Sequence, residues 1–585
     1  MRRKTKLIGK RLISILLTVS LLLQMLPGEL QAHASELSEE ESTLQMSGDR
    51  ALAEVIGEVE SLRQESVKHF RLSDGSYLAV SYGLPVHYLD EEESWQDIDN
   101  TMVLTNNENG TMAYRAANAD VMSAFSATLS TGQLLSAQRD GYGVSMSLLD
   151  TAQAGQMIQM TTSSSVSLVG PIVGSGDNAE GLVYDRTVTA QLVSTGGAAG
   201  DAVLYGLQTD EDTAGWTADD IMPQNLTSSI LYEDVYADVD ILYTAYSHNI
   251  KEEILIKEPM SSYRFDFLLN LDGLSVILNE DGSVSLTNSA QQEIYQIPVP
   301  YMKDGEGEIS HEVAYTLIQT ADGVIFTITA DAQWINSPDR VFPVSIDPSL
   351  VVGANGGAGE SAGIYASYAS ERNPDSVGSN YDHINAGLRE GGEQYQTFMY
   401  FNYLPEIPTG AMVTGAMVGT HMNRRSMVDC TEFYVGLYEV TGALPSSYTS
   451  YYEWYSNLTW NNKPAFDGEN TIDFVGLHGD KMDQYNFWDM TELIKKWYLD
   501  DDIVNRAVAL AATDRDEDHV DTYKAYGSFQ GYDMTYPPAL VIAYRSTVGM
   551  EPYYTYSSYY AGEAGMAYVA DGTGQLKVVK ELFTY

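Results

Sequence analysis

Residues 487–497 read FWDMTELIKKW, and residues 507–511 read AVALA. Four apolar residues of the first run recur on one face of a short helix: Met490, Leu493, Ile494 and Trp497. Asp489 or Thr491 can accept hydrogen bonds from the free N–H groups of the first turn. The second run is apolar and of strand length, which predicts a strand buried on both faces. Together the two runs predict a helix that covers a β-sheet.

A turn precedes this helix at residues 458–464, which read LTWNNKP. Two turn-forming asparagines follow Trp460, and Pro464 cannot donate a hydrogen bond to a central strand ladder. A strand should therefore end there. The tryptophans of this region are expected in the core: Trp460, Trp488 and Trp497.

Six motifs, in order between about residues 364 and 544, resemble the DNRLRE family of secreted bacterial β-domains. Two of them are the WNNKP turn and the helix start with Trp497; the others are INAGLR at 384–389, FMYFNYLP at 398–405, GAMV at 410–413 with AMV at 416–418, and PALVIAY at 538–544. Residues 380–382 read NYD where the family has Asn-Tyr-Gly, which leaves the turn type there open. The resemblance implies a jelly-roll-like sandwich, and some relatives are carbohydrate-binding modules.

Residues 1–34 have the pattern of a secretory signal peptide. Six basic residues precede the apolar run 12–26, and Ala32-His33-Ala34 offers a small-x-small cleavage site. The run is short and broken by polar residues, which disfavours a membrane anchor, and no second candidate span occurs. The sequence therefore predicts a secreted, extracellular protein at the cell surface, with no membrane contact after cleavage.

The chain is strongly acidic, with 81 Asp and Glu against 32 Lys and Arg and a net charge of −49. A field of that sign repels nucleic-acid phosphates and anionic lipid head groups. We therefore expect no nucleic-acid partner. Cys430 is the only cysteine, which excludes an internal disulfide. Its neighbours Phe433 and Val435 indicate a core position rather than a reactive one.

Changes of composition and pattern divide the chain into seven segments. They are a signal peptide at 1–34, an acidic spacer and lead-in helix at 35–69, a β domain at 70–224, a second β domain at 225–350, a Gly-rich linker at 351–363, the DNRLRE-like domain at 364–545 and a tail at 546–585. The linker is too poor in side chains to bury a core. The predicted fold class is mainly β and multidomain, with β-sandwich units followed by a jelly-roll-like sandwich that carries one short helix.

Three local patterns carry the predictions outside the DNRLRE-like domain. Apolar residues between Leu52 and Val67 recur near helical spacing, which predicts the lead-in helix. The sequences DG at 74–75 and NEDG at 279–282 are hairpin turn signals. Residues 263–268, YRFDFL, alternate between apolar and polar, which predicts a strand with one buried face.

Segments on both sides of the DNRLRE-like domain resemble Rhs-type wall-associated surface proteins. They are residues 232–243 and 342–349 before it, and 549–556 and 565–571 after it. The last two resemble the segment that leads into Rhs tyrosine-aspartate repeats. One such strand cannot bury a repeat core alone, so the resemblance implies downstream Rhs-type repeats in a longer protein.

The sequence contains no Gly-x-Ser-x-Gly elbow, His-Glu-x-x-His helix, Walker loop or dinucleotide-binding glycine fingerprint, and its nine histidines lack ligand spacing. Carboxylate pairs abound in so acidic a chain, so any pair chosen for glycoside cleavage would be arbitrary. The best local cluster is Asp514, Asp516 and Asp518, whose alternate side chains suit one calcium ion. His519 stands where an EF-hand needs glycine, and a solvated charged loop is the alternative.

Tyrosine is abundant, with 41 residues, and Trp454 and Tyr455 lie in an aromatic cluster at 451–455. Flat aromatic faces stack on sugar rings, so these two residues are the candidate saccharide platform. Packing within the fold is the alternative. The partner of such a platform would be a cell-wall or extracellular polysaccharide.

The sequence favours a secreted, non-catalytic cell-surface scaffold or adhesion protein, the front part of an Rhs-type wall-associated protein. A carbohydrate-binding module that acts on cell-wall or environmental polysaccharide is the first alternative. A polysaccharide-active enzyme is the second alternative. That enzyme would have to release product from a polysaccharide and lose the activity when one carboxylate is replaced.

Overall fold

The structure is a computed structural model. It describes residues 53–579, with gaps at 91, 108–109, 163–167, 170–181, 196–217, 224, 248, 306–307, 353–362, 378–382, 389–392, 409–410, 429–432, 444–456, 478–483, 501–502, 504, 514–523, 531–535, 546–555, 561–565 and 571–575. The described residues are mostly strands in antiparallel sheets, with few helices. This confirms the predicted mainly β, multidomain fold class.

The strands of the described residues follow in chain order. They are β1 Val55–Glu58, β2 Val67–Leu72, β3 Tyr77–Tyr82, β4 His87–Leu89, β5 Trp95–Asp97, β6 Asp99–Asn106, β7 Met112–Asn118, β8 Met122–Ser126, β9 Gln133–Arg139, β10 Tyr142–Leu149, β11 Leu168–Val169, β12 Gln191–Thr195, β13 Ser228–Tyr236, β14 Val239–Ala245, β15 Asn249–Ile256, β16 Arg264–Asp272, β17 Ser275–Leu278, β18 Val284–Thr287, β19 Glu293–Ile297, β20 Tyr301–Lys303, β21 Ile309–Ser310, β22 Val313–Gln319, β23 Val324–Ala330, β24 Val344–Asp347, β25 Leu350–Val352, β26 Ile364–Ser370, β27 His383–Leu388, β28 Gln394–Phe401, β29 Met412–Val428, β30 Phe433–Glu439, β31 Asp473–Leu477, β32 Gln484–Asp489, β33 Ala507–Ala512, β34 Lys524–Gln530, β35 Ala539–Arg545, β36 Tyr556–Tyr560, β37 Met566–Ala570 and β38 Leu576–Val579. The helices are a 3₁₀ turn at Glu60–Leu62, α1 Thr151–Thr162, α2 Ala218–Ile221, α3 Ala332–Ile335 and α4 Thr491–Leu499.

The largest hydrogen-bonded sheet, which we call sheet A, joins the first described strands to the segment at 364–545. Its order is β1-β2-β3-β35-β29-β34-β27-β28-β33-β30-β31, with β26 on β28 and β32 on β29. β3 pairs antiparallel with β35, so that Tyr77 lies opposite Tyr544 and stacks on its ring. His69 of β2 approaches the Tyr544 hydroxyl through Nδ1 at 3.0 Å. The first three strands thus extend the sheet of the predicted DNRLRE-like domain.

Two further sheets pack face to face. Sheet B has the order β11-β22-β23-β16-β10-β9-β8-β7-β6, and sheet C follows β12-β13-β14-β15-β25-β19-β18-β17, with β20, β21 and β24 attached. The ring of Phe125 in sheet B lies 5.3 Å from that of Tyr243 in sheet C, between centroids. Strands from both predicted segments, 70–224 and 225–350, occur in each sheet.

The stretch at 487–512 folds as its pattern predicts. The apolar face of α4 is buried against sheet A: Met490, Leu493, Ile494 and Trp497. The Asp489 carboxylate accepts from the Thr491 N–H at 2.8 Å, which satisfies one donor of the first turn. β33 is buried along almost its whole length, as expected for a small-residue strand covered on both faces.

The tryptophans differ in burial. Trp488 is fully buried and donates from Nε1 to the Val435 carbonyl at 2.9 Å. Trp460 is only partly buried, and the Lys463 ammonium lies 4.2 Å from the centre of its ring. The expectation of a core position is therefore met by Trp488 and Trp497, while Trp460 lies at the edge of the core.

Both predicted hairpin turns are confirmed. Gly75, between β2 and β3, has a φ of +79° and donates to the Leu72 carbonyl at 3.0 Å. Gly282, between β17 and β18, has a φ of +96° and donates to the Asn279 carbonyl at 3.1 Å. Positive φ is readily available to glycine, which is why these turns can be predicted from short sequences.

The lead-in helix predicted within 35–69 is wrong for the described residues. Residues 55–58 and 67–72 are strands, joined through the 3₁₀ turn. Pairing of β2 with β3 places Phe70 opposite Leu78, and both side chains are buried. The helical spacing upstream of Val67 is a weak local preference, and the hydrogen bonds and burial that sheet A provides outweigh it.

Several predicted features lie outside the described residues: the signal peptide at 1–34, Cys430, and most of the linker, at 353–362. Gly363, which ends the predicted linker, is described, and its carbonyl accepts from the Asn402 N–H at 3.0 Å. Within the described part of the chain, no helix is both long and apolar enough to cross a membrane.

We expect a protease to cut within residues 353–363 and the two resulting parts to stay associated. The Gly-rich composition favours the cut. The six residue pairs between β3 and β35, with an ion pair of 3.2 Å between Arg545 and Asp74, should hold the parts together. The measurement is size-exclusion chromatography of the nicked chain, followed by a denaturing gel.

The matched variant is Leu78→Pro, which removes a backbone donor and distorts β3. It should release the downstream fragment after the same cut. Independent elution of the downstream part from the cut, unsubstituted chain would contradict this pairing.

Candidate functional site

A compact group of ionisable side chains lies where the first strands meet the β4–β5 hairpin. We call it the charged cluster, and its members are Glu58, Arg63, Lys68, His87 and Asp97. β4 and β5 pair antiparallel with His87 opposite Asp97. Asp90 organises the turn between them, because its Oδ1 accepts from the backbone N–H groups of Glu92 and Ser94, each at 2.9 Å.

Each carboxylate of the charged cluster has two cationic partners. Arg63 Nε lies 2.7 Å from Glu58 Oε1, and Arg63 Nη2 lies 2.8 Å from Asp97 Oδ2. The Lys68 ammonium contacts Asp97 Oδ1 and lies 3.3 Å from Glu58 Oε2. The formal charges of these four residues therefore balance.

The His87 ring has a fixed orientation. Its Nδ1 lies 2.7 Å from the Gln64 carbonyl oxygen, which can only accept, so Nδ1 carries a proton. Nε2 therefore faces the carboxylates, 3.3 Å from Glu58 Oε1 and 3.5 Å from Asp97 Oδ1. The side chain is fully buried, whereas 49% of the Asp97 side chain is exposed.

The pKa values of the cluster follow from these contacts. Burial alone would raise the pKa of Glu58, but the close contact with His87, the hydrogen bond from Arg63 and the charge of Lys68 lower it to about 2. The close contact with His87 also lowers the pKa of Asp97, and burial opposes this only in part. Burial lowers the pKa of His87, but its contacts with Asp97 and Glu58 and its hydrogen bond to the Gln64 carbonyl outweigh burial and raise it. Both carboxylates are therefore anionic at neutral pH.

The charged cluster can do two things chemically. As an ion-pair network it ties the 3₁₀ turn and β2 to the β4–β5 hairpin. It also holds an imidazole nitrogen and two carboxylates close together, the donor types that bind divalent transition metals. One ligand atom from each of Glu58, His87 and Asp97 lies within 4.8 Å of the others.

The candidate residues predicted from the sequence lie outside the described residues: Trp454, Tyr455, Asp514, Asp516 and Asp518. The saccharide platform and the calcium loop therefore stay predictions. The charged cluster was not predicted, because its members are spread from residue 58 to 97 without a motif spacing. The only local signal was a short hairpin between His87 and Asp97.

The chain is similar to known bacterial proteins over most of its length. The tRNA nuclease WapA of Bacillus subtilis (strain 168) is 24% identical over 527 residues, which are 85% of this chain and 19% of that protein. The tRNA3(Ser)-specific nuclease WapA of Bacillus spizizenii is 25% identical over 530 residues, with the same coverage of 85% and 19%. A wall-associated protein of Geobacillus stearothermophilus is 20% identical over 249 residues, 42% of this chain and 75% of that protein. The chain thus spans about a fifth of the length of the nucleases.

These similarities support a wall-associated surface protein. No family model matches the chain, so membership of the DNRLRE family gains no support from that comparison. The comparisons do not support the expected polysaccharide partner either.

The relatives overturn three expectations drawn from the sequence. Their names describe enzymes that act on tRNA, against the expected non-catalytic scaffold or adhesion function, the expected lack of enzymatic activity and the expected exclusion of nucleic acid. Net charge does not exclude a nucleic-acid partner, because it describes the electrostatic field far from the protein. A local cationic site on an acidic protein can still bind phosphate. The chain, which lacks the four catalytic and nucleotide-binding motifs named above, also corresponds to only 19% of the nucleases' length.

Proposed function

We propose that this protein is a wall-associated nuclease that cleaves tRNA. The observation that carries the proposal is the similarity to two tRNA nucleases over 85% of this chain. Similarity of that extent includes the segments that form all three large sheets, and not one short motif. The alignment therefore favours a shared architecture over chance resemblance.

The location of the protein at the cell surface is part of the same proposal. The signal-peptide pattern at 1–34 favours secretion, and the similarity to wall-associated proteins favours retention at the wall. We also assign residues 364–545 to a DNRLRE-like domain, because the six motifs occur in order and α4 lies against sheet A where the fifth motif begins. The Rhs-like segments would then connect this domain to downstream repeats.

The charged cluster is not assigned to the cleavage of RNA. Its two cations are already paired with its two carboxylates, and the His87 ring is fully buried. Cations that are already paired with carboxylates attract a phosphate only weakly. We therefore propose tRNA cleavage as an activity of the protein as the cell produces it, without placing the catalytic site in the charged cluster. We propose that the residues described here form its wall-associated, β-rich region.

The test is a cleavage assay on the protein isolated from the wall fraction of the cells that produce it. We expect it to convert intact tRNA into discrete fragments on a denaturing gel, and a wall fraction from a strain without the gene to leave the tRNA intact. Equal cleavage by the two fractions, or none by either, would refute the proposed activity. Finding the protein only in the cytoplasmic fraction would refute the proposed location.

A further inference from the structure

We propose that Glu58, His87 and Asp97 form a binding site for one divalent transition-metal ion, zinc being the best match. Lys68 supplies the positive charge of that site when no metal is bound. This site is independent of the tRNA nuclease function proposed above.

Both distances from His87 Nε2 to the carboxylate oxygens fit a tetrahedral ion. With bonds of roughly 2.0–2.1 Å, the ligands of tetrahedral zinc lie about 3.3–3.4 Å apart. His87 Nε2 lies 3.3 Å from Glu58 Oε1 and 3.5 Å from Asp97 Oδ1. Three protein ligands leave the fourth position to water, and the exposure of Asp97 gives an entry path.

The orientation of His87 is an independent observation that points to a ligand. Nδ1 donates a hydrogen bond to the Gln64 carbonyl. Metal-binding histidines are commonly held by such a bond, which fixes the ring and makes the other nitrogen a stronger metal ligand. Nε2 is completely buried and makes no well-aligned hydrogen bond, although two carboxylate oxygens lie close to it. A lone pair on Nε2 would repel these carboxylate oxygens, and either a proton on Nε2 or a metal ion bound by all three groups removes that repulsion.

The Lys68 ammonium lies beside the proposed ion position. It contacts Asp97 Oδ1, the same oxygen that faces His87, and lies near the second oxygen of Glu58. A zinc ion at the site would repel this ammonium over a short distance. The Lys68 ammonium is at the end of a long flexible side chain, so it can move toward solvent while the backbone of β2 stays paired.

Arg63 holds both carboxylates in place without being a metal ligand itself. Its Nη2 holds Asp97 Oδ2, which leaves Oδ1 to face His87. Its Nε donates to Glu58 Oε1, an oxygen that retains a second lone pair for a metal. After Lys68 has moved, the two carboxylates and Arg63 carry a net charge of −2 + 1 = −1, which attracts a divalent cation.

The experiment is isothermal titration calorimetry of the whole chain with zinc chloride, in metal-free buffer. We expect one strong site per chain. Asp97→Asn should weaken zinc binding by about 10- to 100-fold or more, because it removes a charged ligand on a half-exposed side chain. Lys68→Met should strengthen binding by roughly tenfold or more, because it removes the competing charge. Glu60→Gln, an exposed carboxylate two residues from Glu58, is the matched control and should bind like the unsubstituted chain.

A thermal melt of each metal-free variant shows whether the substitution has impaired folding, so that a loss of zinc binding can be attributed to the site. The visible spectrum of cobalt(II), added in place of zinc, provides a second readout, since a tetrahedral site should give strong absorption that Asp97→Asn abolishes. If zinc binds equally to Asp97→Asn and to the control, or if Lys68→Met does not bind zinc more tightly, the charged cluster is an ion-pair network only and the proposal fails. Binding by Lys68→Met but not by the unsubstituted chain would overturn it as well, because the native lysine would then exclude the metal.

Discussion

We expect Trp497→Ala to lower the free energy of unfolding by about 3–5 kcal/mol, the range for truncating a large buried aromatic residue. Trp497 is 2% exposed, and its ring centroid lies 5.4 Å from that of Phe401 on sheet A. The remaining cavity would be bounded by α4 and by paired strands, which cannot collapse without breaking hydrogen bonds. The measurement is the free energy of unfolding in denaturant, taken from the transition in which sheet A unfolds.

The matched control is Leu499→Ala, in the same helix. The Leu499 side chain is 87% exposed, so its removal should change stability by less than about 0.5 kcal/mol. If both variants unfold at the denaturant concentration of the native chain, Trp497 is not part of the core that the structure shows. A large loss in Leu499→Ala would instead indicate a general sensitivity of α4 to truncation.

A second large effect concerns the pH dependence of stability, through Glu252. This residue lies in β15 opposite Tyr243 of β14, and its side chain is buried between the sheets. Burial raises the pKa of Glu252 from 4.5 to about 8; the nearby Tyr243 hydroxyl opposes the rise, and the charge of Asp347 adds to it. The carboxyl group is therefore protonated in the folded chain at a pH where the unfolded chain has released the proton.

The sign of the effect follows from this difference. A raised pKa in the folded state contributes stability that is fully present below about pH 4.5 and is lost as the pH rises through about 8. At about 1.4 kcal/mol per pKa unit, the shift corresponds to roughly 4–5 kcal/mol. We expect the sandwich of sheets B and C to lose that contribution between about pH 4.5 and pH 8.

The test is Glu252→Gln, which keeps the shape of the protonated acid and cannot ionise. The difference in unfolding free energy between this variant and the native chain should grow by roughly 4–5 kcal/mol in favour of the variant from about pH 4.5 to above pH 8. Glu253→Gln, on the neighbouring residue that is partly exposed, controls for loss of one acidic charge. A difference that stays constant with pH, or that grows equally in both variants, would show that Glu252 ionises normally.

The sequence by itself determined the elements whose cause is local. The spacing of four apolar residues predicted α4, the small-residue run predicted β33, and the glycines at 75 and 282 predicted two hairpins. In each case the residues that decide the conformation lie within a few positions of one another. Their helical period, strand length or positive φ can therefore be recognised without knowledge of the rest of the chain.

Only the tertiary structure decided which strands are neighbours. His69 and Tyr544 are 475 residues apart in sequence and in hydrogen-bond contact, because β2 and β3 extend the sheet that contains β35. The same pairing replaced the predicted lead-in helix, and the hairpin after it brought Glu58, His87 and Asp97 together. In sheet C, the pairing of β15 with β14 places Glu252 in the core, which its acidic sequence context did not suggest. An alternating pattern shows which face of a strand is apolar, but backbone N–H and C=O groups are alike along every strand, so the partner is selected by how the whole chain packs.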